Sequence, residues 1–134
     1  MLLLDTNVLA KLADPQKKRA VLPYLDQRRS ELWVTSSLVV CEFFRPATRR
    51  QSVPQAQAWL GQVLDDVVPF EESAGLEAAR VEASLSQQGR SLGMRGLLIA
   101  SQARDLGATF VTFDKGNFRN QPVRQLLDVD VIDP

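Results

Sequence analysis

The chain has 134 residues, 45% of them apolar, enough for one domain with a single core and too few for two. Its 16 basic and 16 acidic residues cancel, so no overall field draws the molecule onto nucleic acid or membrane, and any contact with nucleic acid has to be local. There is no histidine and a single cysteine, which excludes imidazole-based triads, zinc sites that use histidine and an internal disulfide. Carboxylates are left as the available chemistry, and a cytoplasmic location is expected.

Leu2 to Leu4 form a short apolar run stopped at once by Asp5. The run is far too short for a signal sequence or a membrane span, and reads as an interior strand with Asp5 at its carboxyl end and a helix starting near Asn7. Leu32 to Thr35 repeat the pattern, with Ser36 or Ser37 as N-cap of a helix carrying Leu38, Val39, Glu42, Phe43 and Phe44. Cys41, on that helix, is expected to be a small buried side chain.

Pro54 fits the first turn of a helix whose stripe is Ala56, Trp59, Leu60, Val63 and Leu64. Val67 to Phe70 suggest a short strand that Pro69 confines to a sheet edge. Ala74, Ala78, Val81 and Leu85 predict a helix over 73–88, closed by Gly89. Leu97 to Leu106 are apolar on nearly all sides, predicting a deeply packed helix that ends at Gly107. Thr109 to Phe113 read as another interior strand ending at Asp114, and Val129 to Ile132 as a further one near the end.

Strands alternating with helices predict an α/β fold, with a mostly parallel central sheet and helices on both faces. Ligands bind such sheets beyond the carboxyl ends of the strands, where Asp5 and Asp114 both fall. Each has a plain alternative, Asp5 as an N-cap and Asp114 as a turn former with Lys115-Gly116-Asn117. Glu42 shares a helix face with apolar neighbours and needs a partner, either Arg45 at i+3 or a cation shared with Asp5. Three carboxylates brought together repel unless a cation joins them, and Mg²⁺ or Mn²⁺ is the expected ion.

At these residues the chain resembles a PIN domain of the VapC toxin kind, from residue 1 to 134. Asp5-Thr6-Asn7-Val8-Leu9 is similar to the opening motif and Ser36 to Glu42 to the second acidic helix. Gly89 to Gly93 followed by Leu97-Leu98-Ile99-Ala100 resemble the third block, and Gly107 to Thr112 with Asp114 to Phe118 the fourth. The order and spacing of the four blocks carry the likeness.

The resemblance implies a magnesium-dependent endoribonuclease acting on tRNA or rRNA. It also implies the toxin of a type II toxin–antitoxin pair, usually a homodimer, held by a VapB-like antitoxin whose tail occupies the acidic cleft. Asp5 and Asp114 then take the metal-ligand positions and Glu42 orients the attacking water. Thr6, Asn7, Ser36 and Thr112 are expected to supply supporting hydrogen bonds, and Arg45 and Lys115, with Arg49, Arg50 and Arg119 near them, to meet RNA phosphates. The family carries a metal-holding aspartate just before the Leu97 to Ala100 stretch, where this chain has Gly96. Glycine offers no ligand oxygen, so weakened or absent activity is expected, and a catalytically silent protein that binds RNA or antitoxin is the alternative. Aspartyl phosphotransfer at Asp5 is disfavoured, because Asp5-Thr6-Asn7 lacks a second nearby aspartate.

Overall fold

The structure, a computed structural model, describes residues 1–133. Its centre is a five-stranded, all-parallel sheet of β1 (Leu2–Leu4), β2 (Trp33–Ser36), β3 (Asp66–Val68), β4 (Thr109–Thr112) and β5 (Val129–Val131), in the order β3-β2-β1-β4-β5. Leu2, Leu3 and Leu4 are all buried. Successive strand side chains point to opposite faces, so both faces of β1 are covered.

Helices α1 (Thr6–Ala13), α2 (Leu22–Asp26), α3 (Ser37–Arg49), α4 (Val53–Val63), α5 (Glu72–Gln87), α6 (Met94–Leu106), α7 (Lys115–Phe118) and α8 (Gln121–Leu126) link the strands, with a 3-10 turn at Lys18–Ala20. They pack in two groups. In one, α3 lies between α1 and α4, and Phe43 of α3 stacks on Trp59 of α4 with ring centroids 5.6 Å apart. In the other, α5 pairs along its length with α6, and α6 lies on β4.

Local chemistry explains most of these elements. The predicted stripe of α5, Ala74, Ala78, Val81 and Leu85, is the set it buries. Gly107 ends α6 with φ of 68°, in the left-handed region that glycine adopts without steric cost. β3 lies at the sheet edge as expected, but it runs over Asp66–Val68 rather than Val67 to Phe70 and stops before Pro69, and Gln102 of α6 donates to the Val68 and Pro69 carbonyls at 3.2 and 3.1 Å. Pro46 lacks the N–H that would bond the Glu42 carbonyl, yet α3 runs on to Arg49.

Some expectations need correction. Cys41 is exposed rather than buried. β2 begins at Trp33, leaving Leu32 in solvent, and Leu38 is exposed although Val39 on the same helix is buried. β4 stops at Thr112, because the Thr112 hydroxyl turns the chain by accepting the Asp114 N–H at 3.1 Å. α6 starts two residues before Gly96, at Met94. The 3-10 turn and α2, α7 and α8 are too short to show a helical period in sequence.

Among the described residues no helix is long and apolar enough to cross a membrane.

Truncating Leu3, fully buried in the central strand, is expected to cost about 2–5 kcal/mol. Urea denaturation of Leu3→Ala checks this, with a lowered midpoint at unchanged slope. Leu76→Ala, on an exposed side chain, should stay within about 0.5 kcal/mol of the parent.

Candidate active site

The chain enters the sheet at its centre, builds outward through β2 and β3, then returns to add β4 and β5 on the other side of β1. The strand order therefore reverses between β1 and β4, and the crevice beyond their carboxyl ends is where a ligand site is expected. Leu4 pairs with Val111, so the next residues, Asp5 and Thr112, face one another across it.

Asp5 caps α1 from extended backbone, and its residue exposure is 1%. A carboxylate so buried must be fully hydrogen-bonded. Oδ1 accepts from the Thr6 N–H at 2.7 Å and from Arg95 Nη2 at 2.6 Å, and Oδ2 accepts from the Thr112 hydroxyl at 2.7 Å. The Thr112 hydroxyl is saturated in turn, accepting from Asn7 Nδ2 at 3.3 Å and from the Asp114 N–H. Asn7 Oδ1 takes the Phe113 N–H at 3.2 Å, so one side chain of α1 pins the end of β4.

Glu42 reaches the same place from α3. Its Oε1 accepts from the Thr6 hydroxyl at 3.1 Å and from Arg95 Nε at 2.6 Å, while Arg95 Nη2 also donates to Thr6 Oγ1 at 2.8 Å. The side-chain partner of Glu42 is thus not Arg45 but Arg95, in the first turn of α6. The guanidinium lies between Asp5 and Glu42, its side chain 44% exposed. Burial pulls its pKa down, but hydrogen bonds and charge from Asp5 and Glu42 outweigh burial and raise it above the ordinary value.

Asp114 enters this cluster only through its backbone N–H. Its carboxylate caps α7, Oδ1 accepting the Asn117 N–H at 3.2 Å and Oδ2 accepting Asn117 Nδ2 at 2.8 Å. Ser36 likewise serves as N-cap of α3, accepting the Leu38 N–H at 3.0 Å, and makes no hydrogen bond to Asp5 or Glu42. Gly96 adds no ligand, and a Cβ built there would lie 3.3 Å from the Phe118 ring, which must yield by a few tenths of an ångström to admit a side chain.

This arrangement does not fit a divalent ion. Both oxygens of Asp5 are engaged, a guanidinium holds Asp5 and Glu42, Asp114 is folded onto Asn117, and residue 96 has no donor. Among the described residues no group of three or more acidic or cysteine side chains is placed to hold a metal.

The cations divide into two sets. Lys115 and Arg119, expected to meet phosphate, are instead both paired with Asp133, whose one carboxylate offsets one of their two charges. Arg119 and Lys115 hold the Asp133 carboxyl down from 3.8 to about 2. The stability these exposed pairs add is therefore present above pH 3.8 and lost as pH falls towards 2. Arg45, Arg49 and Arg50 are exposed and form no ion pair among the described residues. Arg50, with Lys11 and Lys17, borders a groove of about 660 Å³ lined also by Thr6, Asn7, Glu42 and Phe43.

Sequence reasoning overlooked Arg95. Its signal was a charged residue directly before Gly96, at the start of a helix expected to lead into the acidic cleft.

A parallel sheet with buried and near-buried acids gathered at its switch point defines an α/β protein with an acidic cleft. The chain belongs to the PIN domain family, whose model matches residues 2–123. It is 29% identical to a VapC ribonuclease, Y4jK, of Sinorhizobium fredii, an alignment covering 100% of this chain and 97% of the relative. Among solved structures it is similar to a chain of VapBC2 from Rickettsia felis bound to a DNA fragment from its promoter, with TM-score 0.76, 23% identity, and 98% of each chain covered. It is also similar to a chain of FitAcB from Neisseria gonorrhoeae, with TM-score 0.76, 24% identity, and 100% and 98% covered. At these identities the two structures establish the fold alone.

Replacing Thr112 by valine keeps the shape but removes the donor to Asp5 Oδ2 and the acceptor for Asn7 and Asp114. The expected loss, from leaving these groups unsatisfied, is about 1–3 kcal/mol. Thermal or urea unfolding of Thr112→Val measures it, and Thr112→Ser should recover most of the stability.

Proposed function

We propose that this chain is a VapC-type endoribonuclease, the toxin of a toxin–antitoxin pair bound by a VapB-like antitoxin, whose acidic centre is closed and weakened in this sequence. The observation that carries the proposal is the meeting of Asp5 and Glu42 through Thr6 at the switch point. Its support outside the chain is an end-to-end alignment with a VapC ribonuclease.

The substrate class is RNA, and the reaction is hydrolysis of a phosphodiester. Mg²⁺ or Mn²⁺ is the proposed ion of an active form; Asp5 and Glu42 would hold it in place of Arg95, and it would supply polarisation of the phosphate. The chain's own contribution is to place groups. Thr6 and Thr112 fix the Asp5 carboxylate, and Thr6 also orients Glu42. Glu42 Oε2 has no hydrogen bond among the described residues and is the oxygen open to an attacking water. Arg50, Lys11 and Lys17 along the adjoining groove are cations for the phosphates of an extended strand.

A catalytically silent protein that only binds antitoxin or RNA is the second reading, favoured by Gly96 together with the Arg95 closure.

The test is cleavage of a mixed tRNA and rRNA pool in Mg²⁺ or Mn²⁺ by the parent, Gly96→Asp and Asp5→Ala, with melting curves to confirm folding. Gly96→Asp is expected to cut at least tenfold faster than the parent, and Asp5→Ala not at all. If neither the parent nor a folded Gly96→Asp cuts, the ribonuclease reading falls and the binding reading replaces it.

A further inference from the structure

We propose that Arg95 is a built-in counter-ion: its guanidinium occupies the cation position between Asp5 and Glu42, so a divalent ion can bind these carboxylates only by expelling it. The inference rests on reading Asp5 and Glu42 as ion-holding acids of the proposed site.

Three contacts carry it. Arg95 Nη2 donates to Asp5 Oδ1 at 2.6 Å and to Thr6 Oγ1 at 2.8 Å, and Nε donates to Glu42 Oε1 at 2.6 Å. Nε and one terminal nitrogen thus engage two different acids, the charge-assisted geometry for which a rigid, planar, permanently charged fork is suited. The oxygens involved, one from each acid, are those through which a cation between the two would be held.

Charge counting agrees with the geometry. A monocation between two carboxylates leaves one negative charge, whereas a dication balances both and draws further oxygens towards six-fold coordination. Those further oxygens are missing, since residue 96 is glycine and the Asp114 carboxylate is committed to Asn117. With the fourth acid gone the site has lost part of what would favour a divalent ion over its own arginine. Arg95 is able to leave, because its side chain is 44% exposed and sits in the first turn of α6, where a rotamer change releases it without disturbing the sheet.

The experiment is Mn²⁺ binding to the full chain and to Arg95→Gln, read by electron paramagnetic resonance of free Mn²⁺, with melting temperatures in EDTA and in Mn²⁺. Arg95→Gln is expected to bind Mn²⁺ at least tenfold more tightly than the parent. It should also melt lower than the parent in EDTA, since the buried Asp5 has lost a charged partner, and regain the difference in Mn²⁺. Arg95→Lys, which keeps the charge but not the fork, should fall between the two. Equal Mn²⁺ affinity of parent and Arg95→Gln, whether tight or undetectable, overturns the proposal.

The outcome is separable from the ribonuclease reading. If Arg95→Gln gains Mn²⁺ but neither the parent nor Gly96→Asp cuts RNA, the counter-ion stands and the nuclease falls. If Gly96→Asp cuts while Arg95→Gln gains no Mn²⁺, the reverse holds.

Discussion

The arrangement of the carboxyl edge of the sheet follows from one buried charge. Asp5 is almost completely removed from water, a state tolerable only if each oxygen has donors. The donors come from three elements: the first N–H of α1, the hydroxyl at the end of β4, and the guanidinium at the start of α6. One carboxylate thereby ties together segments that are remote in sequence. The ties are unequal. The α1 N–H and Thr112 are fixed by backbone and strand register, whereas the half-exposed Arg95 is screened by water and held by a flexible stem. It is the donor most easily exchanged for another cation.

Gly96 and Arg95 are adjacent, and their effects run in the same direction. Without a carboxylate at 96, only Asp5 and Glu42 face the guanidinium, whose single positive charge leaves one negative charge unbalanced. Without a side chain at 96, the Phe118 ring closes to within 3.3 Å of where a Cβ would stand. An aspartate there would both add charge and press on that ring. Glycine at 96 therefore bears on the packing between α6 and α7, and any side chain placed there has to shift an aromatic ring held edge-on against Phe110.

Much of the fold is legible in the sequence because its signals are long or terminal. The α5 stripe covers three turns, the burial of α6 shows in apolar residues on nearly every side, and Pro69 marks where β3 has stopped. The short helices after Asp114 and after Arg19 contain too few residues for a period to register. At the site, Asp5, Thr6, Asn7, Glu42 and Thr112 stand together because strand ends and one helix face put them there, which pattern reading reaches. The direction of a long side chain it does not reach. Arg95 looks like surface, Lys115 looks free and Asp114 looks convergent, until rotamers send Arg95 inward, Lys115 to Asp133 and Asp114 to Asn117.

That redistribution also decides which cations around this cleft remain unpaired. A chain with no net charge attracts phosphate only through cations not already matched. On the α7 side, Lys115 and Arg119 share the single carboxylate of Asp133, which offsets one of their two charges. On the α1 and α3 side, Arg45, Arg49, Arg50 and Lys17 have no acidic partner among the described residues, and Lys11 lies over the Phe113 ring at 4.8 Å. Of these, Lys11, Lys17 and Arg50 line the groove that Glu42 borders, with Asp14 beside them, so unpaired positive charge stands next to the acids on this side. Glu42 lines that groove, and Arg95 bridges Glu42 to Asp5. In the proposed reading a substrate phosphate would attract this guanidinium and an ion would displace it, so both would act on the one residue that joins the two acids.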